Sequence, residues 1–116
     1  MVPEGWADAT FYYVTTTGRR TGRPHEIEIW CVAVGERLYL MAGAGERSDT
    51  VRNLIANPDV TVRVGSDARA ARATVVRDEA EAGPVRAAMV AKYATPDDDL
   101  REWGRTALPV RLDLST

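Results

Sequence analysis

Short runs of alternating apolar and polar residues, separated by glycine and proline, constrain most strongly what this chain can fold into. In residues 60–64 three valines alternate with threonine and arginine, and in residues 110–114 valine and leucine alternate with arginine and aspartate. Side chains along a β-strand point alternately to the two faces of a sheet, so each run predicts a half-buried strand. The predicted strands are residues 11–17, 26–34, 37–42, 60–64 and 68–77, and a last strand that begins at Pro109. Six strands in a chain of this length favour a closed or nearly closed β-barrel, because closure removes exposed strand edges.

The second predicted strand, residues 26–34, changes its character along its length. Glu26 and Glu28 would share one face with Trp30, so that face passes from acidic to apolar. The pattern predicts a strand that leaves a polar rim and enters a core on both of its sides.

Helical segments interrupt the strands. Ser48 is a good N-cap, and Val51, Leu54 and Ile55 follow the spacing of the buried stripe of a short amphipathic helix. Asn53 would then lie on the opposite, polar face. Residues 79–93 have the composition of a longer helix, and a short helical segment with Leu100 and Trp103 follows. The buried stripe predicted for the longer helix contains Val85, Ala88, Met89 and Tyr93.

Length, charge and cysteine count exclude several classes of protein. The 116 residues predict a single domain over residues 1–116, and the net charge of −2 argues against nucleic-acid binding by overall charge. Cys31 is the lone cysteine, so no internal disulfide can form, and one cysteine with one histidine cannot build a structural zinc site. No apolar run approaches the ~20 residues that cross a bilayer, and no signal peptide opens the chain. We therefore expect a cytoplasmic protein without a metal site or a membrane span.

Residues 15–25, with the sequence TTTGRRTGRPH, join the first two predicted strands and are richer in glycine and arginine than any other stretch. Glycine permits positive φ or a close approach to a ligand, and arginine supplies charge and forked hydrogen-bond donors. Such a turn can hold an anion, and a merely solvated hairpin loop has the same composition. The residues concerned are Gly18 and Gly22, with Arg19, Arg20 and Arg23.

A second glycine-rich loop leads into the short helix. Gly43 and Gly45 precede Arg47 and Ser48, where the positive end of the helix dipole begins. A phosphate fits such a place, and so does a helix that only closes one end of the barrel. The sequence leaves both interpretations open.

No pair of nucleophile and base is evident. His25 lies alone beside the arginine-rich turn, and a positioning role fits it better than general-base catalysis. Glu26 and Glu28 fit two exposed rim residues better than a catalytic pair. A basic, glycine-lined turn without a strong acid–base group favours a protein that holds a reactive cofactor.

The chain resembles the deazaflavin-dependent nitroreductase family of small split-β-barrel oxidoreductases. The resemblance rests on TTTGRRTGRP at residues 15–24, on RNLIANP at residues 52–58 before a valine-rich strand, and on the closing residues 103–110. It implies a mainly β fold, a six-stranded split β-barrel with short helices like that of FMN-binding proteins, and coenzyme F420 as the cofactor. It also implies hydride transfer from the reduced deazaflavin to a small electrophilic acceptor, such as a quinone, an enone or a nitro compound.

The resemblance further assigns roles to individual residues. The three arginines of the turn would bind the phosphate and oligoglutamate tail of the cofactor, and Ile27 would approach its ring through the backbone. Tyr93 is the candidate on the substrate side, and the short loop of residues 42–50, which lacks the Ser-Lys and Trp-Tyr signatures of many members, leaves the acceptor open. The implied cofactor-binding residues are Arg19, Arg20, Arg23, His25, Ile27, Gly43, Gly45, Arg47, Ser48 and Asn53.

Two rival interpretations fit the same residues. In one, the split barrel binds FMN at a dimer interface, as related barrels do, and in the other the protein is a non-enzymatic carrier of a flavin or an apolar ligand. A homodimer is therefore one possible assembly. Neither a nucleic acid nor a membrane is an expected partner.

Overall fold

The computed structural model describes residues 2–115, in which one curled antiparallel sheet of seven strands carries three α-helices. The predicted mainly β fold, a barrel-like sheet with short helices, is confirmed. The strands are β1 (Tyr12–Thr17), β2 (Pro24–Ile29), β3 (Cys31–Val34), β4 (Arg37–Ala42), β5 (Asp59–Val64), β6 (Asp67–Val75) and β7 (Leu108–Leu114). The helices are α1 (Asp49–Ala56), α2 (Glu79–Tyr93) and α3 (Arg101–Thr106), and a 3-10 turn at Gly45–Arg47 precedes α1.

The two edge strands of this sheet are consecutive in the chain. The strand order is β2-β1-β5-β6-β7-β4-β3, and a single residue, Trp30, separates β2 from β3. The chain therefore passes from one edge of the sheet to the other at Trp30. We call this place, formed by Ile29, Trp30 and Cys31, the seam.

Seven strands replace the predicted six, because residues 26–34 form two strands instead of one. The alternation of side chains continues through Trp30, whereas the hydrogen-bonded partner changes from β1 to β4. A pattern of residue types cannot report that change of partner. The predicted passage from a polar rim into a two-sided core is confirmed, since Glu26 and Glu28 are exposed and Cys31 and Val32 are buried.

Apolar clusters cover both faces of the sheet. The barrel cluster lies on one side of the sheet and includes Tyr12 and Leu40, together with Trp6. The helix cluster lies between the sheet and α2 and includes Tyr39 and Met41. Because β4 contributes to both clusters, it is buried on both of its faces.

Helix α2 has the predicted bounds, and Val85, Met89 and Tyr93 are buried in the helix cluster. Helix α3 packs against the side of α2 that faces away from the sheet. A Cβ on Gly104 would collide with Cγ2 of Val90, so glycine at this position lets the two helices pack closely. No helix within residues 2–115 is long and apolar enough to cross a membrane.

Helix α1 begins at the predicted N-cap, where Ser48 Oγ accepts a hydrogen bond from the Val51 N–H over 3.4 Å. Its buried face differs from the predicted one. Ile55 is 52% exposed, whereas Asn53 is only 6% exposed. The eight-residue helix is rotated so that Asn53 faces the β1–β2 turn, whose polar groups satisfy its amide oxygen.

Candidate functional site

Two neighbouring cavities share Ile27 and Thr50 in their walls, and one of them reaches the seam at Ile29 and Trp30. The larger one, about 550 Å³, is the apolar cavity, and the smaller one, about 350 Å³, is the basic cavity. Together they form one groove along β2 and the N-terminal end of α1. The apolar cavity is lined by Ile27, Glu28, Ile29, Trp30, Met41, Ala42, Gly43, Ser48, Thr50, Asp98, Leu100 and Trp103.

The β1–β2 turn forms the wall of the basic cavity, and its two glycines serve it in different ways. Gly22 has a φ of 71°, in the left-handed region that glycine adopts without strain. A Cβ on Gly18 would lie 2.7 Å from Nε2 of His25, so the missing side chain lets the imidazole pack against the backbone. The Gly18 N–H donates to the carbonyl of Arg23 over 2.8 Å and closes the turn. One glycine thus supplies a positive φ and the other supplies a close approach.

Arg19 fastens this turn to α1. Its backbone N–H and its Nη1 donate to Oδ1 of Asn53 over 3.1 and 2.8 Å. Its Nη2 lies 3.1 Å from Oδ1 of Asp49, whose side chain is exposed, so this ion pair is weak in water. The contacts fix the position of the guanidinium in the wall of the basic cavity.

Arg20 and Arg23 are exposed, and within residues 2–115 neither guanidinium forms a hydrogen bond or an ion pair with another residue. Arg20 lines the basic cavity together with His25, whereas Arg23 lies outside its wall. Arg20 is therefore the cation of this cavity whose donors are available to a ligand.

Trp30 gives the apolar cavity an aromatic wall. Its ring stacks on Tyr93 with 4.4 Å between ring centroids and 6° between planes, and it meets Trp103 edge-on at 5.7 Å. A Cβ on Gly43 would lie 3.3 Å from Nε1 of Trp103, so glycine after β4 leaves room for the indole. Such a wall can accept a flat ring.

Tyr93 supports this wall from behind and lines neither cavity. Its hydroxyl lies 2.9 Å from the carbonyl oxygens of Thr10 and Cys31 and accepts a hydrogen bond from the Cys31 N–H over 3.3 Å. Burial raises the pKa of Tyr93 from its ordinary value of 10.0 to about 12. The substrate-side role of Tyr93 stays a prediction, and Trp30 and Trp103 are the aromatic residues in the wall of the cavity.

Lys92 extends the polar cluster beneath the seam. Its Nζ donates to the hydroxyl of Tyr12 over 2.8 Å and to the carbonyl of Cys31 over 2.9 Å. Burial lowers the pKa of Lys92 and raises the pKa of the Cys31 thiol. Because none of these residues lines a cavity, the cluster supports the seam instead of contacting a ligand.

Ile27 lies between the two cavities, but its backbone is directed away from them. Gly18 donates to Arg23 in the β1–β2 register, and hydrogen-bonded pairs alternate along antiparallel strands, so the backbone of Ile27 pairs with that of Val14. The backbone groups of Glu28 point instead to the open edge of the sheet. The approach of Ile27 to a ring through its backbone stays a prediction.

The groove brings together most of the residues predicted for the site. The basic cavity contains Arg19, Arg20, His25 and Asn53, the apolar cavity contains Gly43 and Ser48, and Ile27 lines both. Arg23, Gly45 and Arg47 lie in the predicted loops but outside both walls. Sequence reasoning missed the wall residues Trp30, Met41, Thr50, Asp98, Leu100 and Trp103. These residues come from separate elements, and of them only Trp103 lies in a motif that carries the family resemblance.

The fold and the groove define a split-barrel protein in which an aromatic cavity adjoins a basic one. The sequence profile of the F420H(2)-dependent quinone reductase family matches residues 4–115. The chain therefore belongs to this family and is an F420-dependent oxidoreductase. The resemblance seen in the sequence, and the cofactor that it implies, are confirmed. No protein of curated function matches the chain.

Solved structures share the fold at low sequence identity. An F420-H2-dependent reductase (FDR-A) has a TM-score of 0.72 and 20% identity, over 90% of this chain and 94% of that one. An F420 reductase has a TM-score of 0.69 and 19% identity, over 99% of this chain and 97% of that one. HutZ, the haem storage protein from Vibrio cholerae, has a TM-score of 0.74 and 18% identity, over 92% of this chain and 82% of that one. Because a haem protein is as similar as the reductases, these likenesses establish the fold alone, and the family match supplies the cofactor.

The side chains of the groove fit coenzyme F420. Guanidinium and imidazole groups in the basic cavity can bind the phosphate and the oligoglutamate arm that the cofactor carries. The apolar cavity offers a flat aromatic wall for the ring. The two cavities share a wall, so one ligand can contact both.

Proposed function

We propose that this chain reduces a small planar electrophile, a quinone in the first instance, with coenzyme F420 bound in the groove at the seam. The observation that carries the proposal is the contact between two cavities of different chemistry, one basic and one aromatic. A cofactor with an anionic arm and a flat ring needs both within the length of one ligand. The family's description as quinone reductases supports a quinone as the acceptor.

Each group of residues has its own task in this proposal. Arg20 and His25 bind the anionic arm, and Arg19 keeps the turn against α1. Ile27 and Trp30 hold the ring and the acceptor close to each other in the apolar cavity. When bound, F420 supplies a hydride, and a quinone that takes up this hydride and one proton becomes the quinol while the cofactor is oxidised.

A cofactor titration of the full chain tests where the arm lies. Arg20→Ala should raise the Kd for F420 about tenfold or more, because one charge-assisted contact contributes about 1.5–3 kcal/mol. The midpoint of thermal unfolding should not change, since Arg20 is exposed and forms no ion pair within residues 2–115. Arg72→Ala is the matched control, because Arg72 is an exposed arginine of β6 outside both cavities. An unchanged Kd in Arg20→Ala would contradict the placement of the arm in the basic cavity.

A panel of acceptors tests the reaction. Reduced F420 should be oxidised in the presence of the protein by quinones, and more slowly by enones and nitroarenes. Binding without oxidation across the whole panel would favour the carrier interpretation. Quenching of tryptophan fluorescence by FMN, with none by F420, would favour a flavin-binding barrel instead.

A further inference from the structure

The cationic residues that line the groove are confined to one of its two cavities. The basic cavity contains Arg19, Arg20 and His25, together with the carboxylate of Asp49, which pairs with Arg19. Within the described part of the chain, the charged residues that line the apolar cavity are Glu28 and Asp98, and no lysine, arginine or histidine joins them. The two cavities therefore present opposite net charges to the two ends of whatever the groove binds.

Glu28 is held in place without being neutralised. Its Oε1 accepts a hydrogen bond from the hydroxyl of Tyr13 over 2.9 Å. The guanidinium of Arg63 lies 4.2 Å from the centroid of the Tyr13 ring and forms its ion pair with Glu26, at 3.2 Å. Among residues 2–115, no cation pairs with Glu28, so its charge stays available at the wall of the apolar cavity.

Asp98 enters the same cavity from the turn before α3. Its Oδ1 accepts a hydrogen bond from the N–H of Leu100 over 3.0 Å. The backbone N–H of Asp98 donates a hydrogen bond to the hydroxyl of Thr95 over 3.1 Å. Leu100 has a φ of 56°, which brings the chain sharply round into α3 and places Trp103 in the cavity wall. Among residues 2–115 no cation pairs with Asp98, and the neighbouring Asp99 pairs with Arg101. The second carboxylate oxygen of Asp98 can therefore contact a ligand.

We propose that the apolar cavity selects planar aromatic electrophiles that carry a positive charge and disfavours those that carry a negative charge, with Glu28 and Asp98 as the specificity-determining residues. Trp30 and Trp103 contribute to the same preference, because indole faces attract cations. The two carboxylates would lie within a few ångströms of a ligand in this cavity. At that distance they attract a positively charged ligand and repel a negatively charged one, even at a solvent-exposed site. The inference rests on the proposed function in one respect, namely that the acceptor occupies the apolar cavity.

Binding of charge-matched quinones to the unloaded protein tests the inference. The probes are a neutral naphthoquinone, the same ring with a sulfonate, and the same ring with a trimethylammonium group, each titrated by quenching of tryptophan fluorescence. The ratio of the Kd of the anionic probe to that of the cationic probe should be roughly tenfold at low salt. In about 1 M salt this ratio should fall close to one, because the Debye length then shrinks to about 3 Å.

Charge-only variants identify the residues responsible. Glu28→Gln and Asp98→Asn keep the oxygen that accepts the hydrogen bond and should each lower the Kd ratio roughly two- to threefold. Asp97→Asn and Glu36→Gln are matched controls, because both carboxylates are exposed and line neither cavity. The controls should leave the ratio unchanged.

The outcomes separate the inference from the proposed function. Equal Kd values for the three probes, or a ratio that the control variants lower as much as Glu28→Gln and Asp98→Asn do, would overturn the inference. If the neutral quinone is still reduced with F420 in that case, the proposed function stands. If F420 is neither bound nor oxidised while the charge order of binding holds, the proposed function fails and the preference of the cavity is supported by itself.

Discussion

Arg19 and Arg20 are neighbours of the same type, and their surroundings give them different tasks. Arg19 donates to the buried Asn53 and so fixes the β1–β2 turn, whereas Arg20 is exposed in the basic cavity. The sequence identifies both as cations on a glycine-rich turn. The sequence does not distinguish them, because Asn53, the partner of Arg19, is 34 positions away. The helical pattern also predicts that Asn53 lies on the polar face of α1, whereas it is buried.

Tyr93 carries the first prediction at the scale of a single residue. Its hydroxyl bonds two backbone segments, and burial raises its pKa from 10.0 to about 12. Tyr93→Phe should lower the free energy of unfolding by about 1–2 kcal/mol at neutral pH, because the buried hydrogen bonds are lost. Because the pKa of Tyr93 is higher in the folded state than in the unfolded state, the protonated hydroxyl contributes fully to stability below pH 10.0. This contribution is lost as pH rises toward about 12.

The difference in stability between the wild type and Tyr93→Phe should therefore shrink as pH rises from 10.0 to about 12, as measured by urea unfolding across this range. The lowered pKa of Lys92 works in the opposite direction in both proteins, so the comparison removes most of its effect. A difference that stays constant over the whole range would contradict the buried, protonated hydroxyl.

At the scale of elements, local patterns predict some bounds well and others poorly. Helix α2 and strand β4 begin and end at the predicted residues, since their periodicity and their flanking turns are local. The division between β2 and β3 was missed, because it depends on which strand each half pairs with. The wrong assignment of Ile55 to the buried face of α1 has a similar cause, since packing against the turn rotates this short helix.

The docking of α2 onto the sheet carries a second prediction. Glu81 accepts a hydrogen bond from the hydroxyl of Tyr39 on β4 over 2.7 Å and contacts Nη1 of Arg111 on β7 at 3.0 Å. The hydrogen bond from Tyr39, followed by that from Arg111, lowers the pKa of Glu81 below its ordinary 4.5. Glu81→Gln should lower the free energy of unfolding by about 1–2 kcal/mol at neutral pH, because charged acceptors make the stronger bonds.

Because the pKa of Glu81 is lower in the folded state than its ordinary 4.5, the ionised carboxylate contributes fully to stability above pH 4.5. This contribution is lost as pH falls below that value. The difference between the wild type and Glu81→Gln should therefore diminish below pH 4.5, as followed by denaturant midpoints at several pH values. Glu79→Gln, at an exposed position of the same helix, is the control and should change stability by only a few tenths of a kcal/mol. Equal effects of the two variants would show that the contacts of Glu81 do not hold α2 on the sheet.

At the scale of the whole molecule, the sheet closes on itself only through the chain at Trp30. β2 has one neighbouring strand and is largely exposed, whereas β7 lies between β6 and β4 and is mostly buried. The groove thus lies along an edge strand of the sheet. The homodimer that the sequence suggests stays a prediction.

This arrangement predicts unequal local stability. Amide hydrogen exchange should be faster in β2 than in β7, because an edge strand opens without breaking the centre of the sheet. Binding of F420 should slow exchange in β2 and leave β7 unchanged, as read by mass spectrometry of the two peptides. Equal rates in both strands of the free protein would contradict an edge strand that opens by itself.

The sequence by itself determined most of the elements, the glycine-rich turn with its arginines and the family, because alternation, helical spacing, turn residues and motifs are properties of neighbouring positions. Only the tertiary structure decided that Trp30 faces the groove while Tyr93 supports it, and that Glu28 and Asp98 meet at one cavity. These contacts join residues that lie far apart in the chain. Which strands pair follows from burying apolar surface over the whole molecule. The rotation of α1 follows from the hydrogen bonds that Asn53 accepts from Arg19 on a distant turn, and no local pattern contains that information.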